Sequence, residues 1–417
     1  FYLIDTNLCY NMYAWKNNHQ KYQRNEVYMN AIDYKLIPQD VHTLLQTLCQ
    51  NGYEAYIVGG CVRDCILGRT PQDWDITTSA LPEQTKALFA HTFDTGIQHG
   101  TITVVLHQTN YEITTYRIDG AYEDNRHPTS VQFTPNLKED LLRRDFTMNA
   151  IAYHPAIGFQ DPFGGRADIA KKCIRGVGEP AKRFQEDALR MLRCVRFAAQ
   201  LGFCVEPATY TALQQNAALI AHISAERIFT ELTKLWLSPF SDRLPLLLES
   251  GLLPHIDTLF AERLANYGDA LCTQLSAAPA VMALRWTLVL QGYTESEAKQ
   301  FCKKLKFDNQ TTKYILTLLR VLHQPTPQTK PQLRRLAGTI GADMTRDLLT
   351  LQHILYPQNG ADKAQTLLCE ILASGDCLTL KTLAIDGKTL MAEGIPAGKA
   401  IGEILSALLA DVWEEPA

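Results

Sequence analysis

The chain has 417 residues, 46% of them hydrophobic and 20% charged, with a formal net charge of −4. That is an ordinary globular balance, long enough for about three domains at ~150 residues each, and it excludes a protein that coats nucleic acid through global basicity. No apolar run reaches the ~18 residues of a membrane span, since Arg285 interrupts the most apolar stretch, residues 277–290. No secretory leader is visible. The eleven cysteines, odd in number and none at zinc-ribbon spacing (Cys61 and Cys65 are closest), point to free thiols in a reducing cytoplasm. The eleven histidines show no ligand spacing.

In chain order, residues 1–35 hold six of the 17 tyrosines and begin without Met, and they read as an unassigned extension or cloning remnant. Residues 36–165 mix helix and strand signals. Residues 41–50 are amphipathic, and 56–58 form a short apolar strand running into Gly59-Gly60, a sharp turn into a helix. Such a turn aims backbone N–H groups and a positive helix end at a phosphate. Asp73 and Asp75 flank Trp74, so a strand here would point both carboxylates to one face and pack Trp74 on the other. The two acids repel unless a cation lies between them. A pair of magnesium ions ~3.5–4 Å apart would supply that charge and serve phosphoryl chemistry. Taken singly, the glycine turn is usually a turn and the acid pair a wet strand face; in this order they favour a nucleotide site. Strands are expected at 101–106 and 111–116, around a Gln108-Thr109-Asn110 turn. Glu112 falls on the second of them.

Further on, Asp140-Leu141-Leu142-Arg143-Arg144-Asp145 carries an arginine pair that is either a helix end or a two-point match to phosphate oxygens. Asp161-Pro162-Phe163-Gly164-Gly165 predicts a tight turn. Residues 143–196 carry eleven Lys/Arg against six Asp/Glu, a local basic strip in an acidic protein, read as a solvated face or as a surface for a polyanion. Residues 183–201 read as one long helix. Within it Asp187, Arg190, Arg193 and Arg196 recur every third position, so Asp187 and Arg190 should be neighbours, while Asp187 and Arg196 face opposite sides. An ion-pair ladder explains Asp187–Arg190 and leaves the other two arginines to other acceptors. The sharper reading is a base-reading pair. A carboxylate accepts and a guanidinium donates, which suits the amino group and ring acceptors of cytosine and adenine; uracil and guanine would set a carbonyl against Asp187. A second helix at 224–236 has Ser224 as its expected N-cap. Beyond 180 strand signals vanish, and Leu/Ala-rich helices alternate with short loops, of which 324–330 is the clearest linker.

Gly-Gly-x-Val-Arg-Asp, Asp-x-Asp, Leu-x-Arg-Arg-Asp-Phe-Thr-x-Asn-Ala, Asp-Pro-Phe-Gly-Gly and Glu-Asp-x-x-Arg-x-x-Arg-x-x-Arg-Phe occur here in one order between about 36 and 240. This set resembles class II tRNA nucleotidyltransferases, the CCA-adding enzymes grouped with bacterial poly(A) polymerases, within the DNA polymerase β-like superfamily. The resemblance implies an α/β nucleotidyltransferase head, a polymerase β-like mixed sheet with helices, followed by an elongated all-α neck, body and tail. The expected bounds are 36–165 for the head, 166–235 for a nucleotide-templating neck, 236–325 for the body and 326–417 for a tRNA-binding tail. It implies that Asp73 and Asp75 hold Mg2+ and that Glu112 is a third catalytic carboxylate, as a metal ligand or as the base for the attacking hydroxyl. Gly59, Gly60, Arg63 and Arg144 would bind the triphosphate, Asp187 and Arg190 would template the base, and Arg193 and Arg196 would support the nucleotide.

The implied activity is template-independent addition of CCA to tRNA 3′ ends from CTP and ATP. The alternatives are an A-adding-only or CC-adding enzyme, or a poly(A) polymerase. Residues 117–128 resemble the family's flexible loop, whose presence disfavours a CC-only product. His127 stands where a second basic residue after Arg126 is usual, and Met148 where Ile is commoner. Residues 385–388 and 394–402 resemble the tail of Gram-positive-type bacterial enzymes, which implies a grip on the tRNA elbow. The implied partners are tRNA lacking all or part of its CCA, CTP and ATP, with no membrane. Whether the protein is a monomer or homodimer stays open.

Overall fold

The structure, a computed structural model, describes residues 32–120 and 130–415. Two compact units divide the chain: one runs to Leu235 and takes in Arg243–Glu262, and the other comprises Trp236–Asp242 and Arg263–Ala417.

The first unit is built on a seven-stranded sheet. Its strands are β1 (Ala55–Val58), β2 (Asp75–Thr78), β3 (Thr92–Gly96), β4 (Thr101–Leu106), β5 (Thr109–Thr115), β8 (Ala152–His154) and β9 (Gly158–Gln160), in the order β3-β4-β5-β2-β1-β8-β9. A separate ribbon pairs β6 (Arg117–Asp119) with β7 (Val131–Phe133). Only β2 and β5 run parallel within the large sheet, so it is mixed, as expected. The central strand β1 reads Ala-Tyr-Ile-Val and is buried along its whole length.

Helix α1 (Gln39–Gln50) buries Val41, Leu44, Leu45 and Leu48, an i, i+3, i+4, i+7 stripe. Next come α2 (Gly60–Ile66), α3 (Pro82–Leu88), α4 (Leu137–Leu142) and α5 (Gly165–Ala170). Asn136 caps α4 by accepting from the Lys138 N–H at 3.0 Å, which fixes the helix that carries Asp140 and leads into the arginine pair. Met148 is fully buried, a packing position.

Four local expectations are corrected. The β4–β5 hairpin turns one residue earlier than the sequence suggested: Leu106 already pairs with Thr109, and His107 and Gln108 make the turn with φ of 45° and 67°. That is the two-residue geometry favoured by strand twist, here built without glycine. Strand β2 begins at Asp75, so period-two alternation does not extend to Trp74. Instead of packing on the opposite face, Trp74 is half-buried in a groove beside Asp75. The single helix expected over 183–201 is two helices, α6 (Pro180–Glu186) and α7 (Leu189–Leu201). Asp187 between them is extended (φ −140°, ψ 103°), and its Oδ1 accepts from the Leu189 N–H at 3.1 Å. The apolar periodicity continues across this junction, but an aspartate side chain that bonds the backbone competes with helix and settles at a helix start. Strand structure also persists past 180: β10 (Cys173–Ile174) pairs in parallel with β11 (Cys204–Val205).

Helices α8 (Pro207–Asn216) and α9 (Ala225–Trp236) follow, α9 starting directly after Ser224. The second unit is helical throughout. Leu333, Ala337, Leu349, Ala364, Leu368 and Ile371 form a core shared by helices Lys330–Ile340, Ala342–Leu355 and Ala361–Ser374. Arg285, the charge that breaks the apolar stretch, is buried and donates to the carbonyls of Trp236, Ser238, Ala278 and Pro279. Its charge is thereby satisfied by carbonyls at and just beyond helix C-termini that lack an intrahelical partner. Among the described residues no helix is long and apolar enough to cross a membrane, and ten cysteines are free.

Candidate active site

A cleft of about 670 Å³ in the first unit gathers every residue the sequence nominated except Glu112. Its entrance is the β1–α2 turn. Gly59 has φ 83°, a backbone conformation that favours glycine, and a Cβ there would lie 2.9 Å from Arg144 Nη1, the mobile end of a side chain that would have to move aside. Gly60 opens α2. One turn on, Arg63 is buried, donating to Asn149 Oδ1 at 2.7 Å and to Asp64 Oδ1 at 2.8 and 2.9 Å.

From Asn149 a network runs along the floor. Asn149 Nδ2 donates to Asp145 Oδ1 at 3.0 Å, and Asp145 Oδ2 accepts from Arg193 Nε and Nη2 at 2.9 and 2.7 Å. Arg193 also lies 3.8 Å from Glu231, whose carboxylate binds Arg196 directly. The Phe197 ring faces the guanidinium groups of Arg63, Arg193 and Arg196 at 5.1, 5.2 and 3.8 Å. Burial works against the Asp145 charge, yet the Arg193 charge and the Asn149 hydrogen bond outweigh it and bring its carboxyl down to about 2. Arg196 is thus committed to the wall of the cleft.

The acids form the other side. Asp75 stands directly opposite Glu112 across the parallel β2–β5 pair, and Asp73 precedes it. Asp73 and Asp75 line the cleft and also a second groove of about 750 Å³, which holds Glu112. The walls around Asp75 push its carboxyl above the ordinary range, the Asp73 charge adds to this, and Arg144 opposes it. Glu112 is raised by burial and then by the charges of Asp75 and Asp73. Among the described residues no group of three or more His, Cys, Asp or Glu side chains is arranged to hold a metal ion. Asp73 and Asp75 could offer one or two carboxylate oxygens to a divalent cation that takes its remaining ligands from substrate phosphates.

The arginine pair diverges. Arg143 binds the fully buried Asp140 at 2.8 Å and lies 3.9 Å from Asp119, whereas Arg144 lies 3.5 Å from Asp140 and turns toward Gly59. Only the stem of the segment likened to the flexible loop, Arg117 to Gly120, is described; residues 121–129, His127 among them, lie outside the described residues.

Asp187 and Arg190 share the cleft but not an ion pair. Arg190 donates to Glu186 Oε2 at 2.9 Å and to the carbonyls of Arg183 and Arg143 at 3.1 and 2.8 Å. Asp187 accepts from Arg227 through both oxygens, at 2.8 and 3.2 Å. Arg227, Asp145, Asn149 and Glu231 were not singled out from the sequence. For Arg227 a signal existed, because an arginine in the first turn of a helix opposes the helix dipole and calls for an acid nearby.

Three family models cover most of the chain: the Poly A polymerase head domain matches residues 55–175, an RNA- and SrmB-binding site of polymerase A matches 202–259, and tRNA nucleotidyltransferase domain 2 matches 281–416. The CCA-adding enzyme of Geobacillus stearothermophilus is 42% identical over 382 residues, 89% of this chain and 91% of that protein. The CCA-adding enzyme of Lactobacillus johnsonii is 37% identical over 385 residues, covering 89% and 92%. Among solved structures, the crystal structure of the Bacillus stearothermophilus CCA-adding enzyme in complex with CTP matches with a TM-score of 0.77 at 37% identity, over 90% of this chain and 92% of that one. With the mixed-sheet head, the acids of β2 and β5 and the Asp187–Arg190 junction in one molecule, these likenesses leave one conclusion: the chain belongs to the CCA-adding enzyme family of tRNA nucleotidyltransferases.

Proposed function

We infer that this protein adds CCA to tRNA 3′ ends from CTP and ATP. The reading is supported by relatives named for that activity over nine-tenths of their length, and by a similar structure that contains CTP. The observation that carries it to this chain is the single cleft holding acids on one wall and the Asp187–Arg190 junction on the other. Arg63 and Arg144 flank the Gly59–Gly60 turn, where a triphosphate finds both donors and positive charge. Mg2+ held by Asp73 and Asp75, singly or as a pair, would neutralise charge developing on the transferred phosphoryl group and its leaving pyrophosphate. Glu112, opposite Asp75 on the neighbouring strand, would orient or deprotonate the attacking ribose hydroxyl. Asp187 accepts from a base amino group and Arg190 donates to its acceptor, which admits cytosine and adenine and sets uracil and guanine against an unpaired charge. We assign the head to 36–165, the neck to 166–235, the body to 236–325 and the tRNA-binding tail to 326–417. The setting is cytoplasmic.

The test is incubation with tRNA ending before CCA, giving CTP and ATP separately and together. Addition of CC with CTP alone and CCA with both is expected, with Asp73→Ala and Asp75→Ala folded but inactive. Extension by ATP alone into long tails would replace this reading with a poly(A) polymerase. Addition of A only to tRNA already ending in CC would replace it with an A-adding enzyme.

A further inference from the structure

The second groove carries a row of side chains that starts at Asp75 and leads away from the nucleotide cleft. Asp75 pairs with Glu112, Glu112 with Thr103, and Thr103 with Phe93, directly opposite one another across β2, β5, β4 and β3. Directly opposed residues project from the same face of a sheet, so the row leads from the acids to the open edge strand β3. At its end Phe93 is 61% exposed although it lies in a groove of about 750 Å³. Trp74, half-buried, lines the same groove next to Asp73 and Asp75. Thr95 and Thr103, which bond each other at 2.7 Å, add hydroxyls to the wall. Among the described residues no lysine or arginine lines it.

We propose that this groove seats the 3′-terminal nucleosides of the RNA acceptor, with Phe93 as a stacking platform for a base. The proposal rests on the nucleotidyltransferase reading above. An in-line transfer needs its two substrates on opposite sides of the metal-binding acids. The basic cleft takes one side, and the face carrying Glu112 is the other. The chemistry of the groove suits nucleosides rather than phosphates, since its described lining offers aromatic faces and hydroxyls beside the carboxylates and no cation. Stacking is tolerant of base identity because every base has a π-face. A growing 3′ end presents a different base at each addition, so a tolerant platform suits it better than base-specific hydrogen bonds. Three strand spacings of ~4.8 Å separate Phe93 from Asp75, or roughly 14 Å. That places the platform under a base upstream of the reacting ribose rather than under the terminal one.

The experiment measures AMP transfer to a tRNA ending in CC by the wild type, Phe93→Ala and Phe93→Trp. Phe93 is exposed on an edge strand, so Phe93→Ala is expected to fold normally. Its KM for tRNA should rise about 5- to 100-fold, in keeping with the loss of one base–aromatic stack. Its KM for ATP should stay within about twofold, and Phe93→Trp should restore tRNA binding. An abasic nucleotide at the stacked position should add no further loss to Phe93→Ala. A KM for tRNA unchanged in Phe93→Ala overturns this proposal alone. So does an equal rise for ATP and tRNA, or losses that add at each of the last three nucleotides. A wild-type protein that transfers nothing overturns the functional reading, and this proposal with it.

Discussion

Replacing Asp145 by Asn tests whether the floor of the cleft is held by charge. Asp145 is buried, accepts from Arg193 twice, from Asn149 and from the Phe146 N–H, and so connects α7 to the segment that holds Arg63. Burial raises its carboxyl, but Arg193 and the hydrogen bonds lower it further, from an ordinary 3.8 to about 2. At about 1.4 kcal/mol per tenfold in proton affinity, this makes the charge worth about 2 kcal/mol of folding stability. A depressed folded value means the stabilisation is complete above the unfolded value near 4 and is lost as pH falls toward 2. Asp145→Asn should therefore cost about 2–3 kcal/mol at pH 7, the upper end reflecting Arg193, whose side chain is 32% exposed, left with Glu231 at 3.8 Å. The assay is urea denaturation of both proteins at pH 7, 5 and 3. The gap should be the same at pH 7 and 5 and clearly smaller at pH 3. A gap below about 0.5 kcal/mol at pH 7 would refute the reasoning, as would one that does not respond to acid.

The acids of β2 and β5 predict the opposite sign. Because burial and mutual repulsion raise Asp75 and Glu112, their charges oppose folding above the ordinary carboxylate range, and that penalty vanishes as pH falls below it. Asp75→Asn or Glu112→Gln should consequently raise the melting temperature at pH 7 in metal-free buffer while transfer falls at least ~100-fold; a lower melting temperature counts against a strained acid cluster. Arg227→Met should free Asp187 without touching the triphosphate. Discrimination between CTP and UTP should then drop about tenfold, with the KM for CTP nearly unchanged, since one charged partner that fixes a hydrogen-bonding carboxylate contributes about 1.5–3 kcal/mol. Selectivity measured by competition between the two triphosphates checks this, and an unchanged ratio means that Arg227 only packs.

The parts of the molecule that were legible in sequence are those whose chemistry is local. Gly59 announces a positive-φ turn by its identity, and the structure adds that Arg144 Nη1 reaches within 2.9 Å of where a Cβ would stand. The hydrophobic stripe of α1 follows from its spacing alone. Glu112 could be placed beside Asp75 because both lie on strands, and one register then aligns them. What the sequence hid depends on pairing across distance. Glu231, 35 residues from Arg196, and Asp145, 48 from Arg193, meet only once α7 is laid against the head and α9. Nothing in the sequence marks Phe93, and the strand order β3-β4-β5-β2 puts it in line with the acids.

Asp187 shows how a misread local signal changes the chemical argument. Inside a continuous helix its carboxylate would have been fixed beside Arg190 by helical geometry, and the two would have neutralised each other before any base arrived. At a helix start the side chain is oriented by the Leu189 N–H, while its charge is balanced by Arg227, a group from another helix. Arg190 in turn has Glu186 and two carbonyls to itself. The acceptor and the donor of the proposed base-reading pair are thus held apart by separate partners, so an incoming cytosine or adenine does not have to break an ion pair between them. Each group can keep its ionic partner, Arg227 for Asp187 and Glu186 for Arg190, and share what remains of its hydrogen-bonding capacity. A carboxylate has about four lone-pair sites and a guanidinium five N–H donors, so both can meet an uncharged base without losing the ion pair. Rejection of uracil and guanine would follow from the same arrangement, because a base carbonyl set against Asp187 brings acceptor against acceptor with no proton to share.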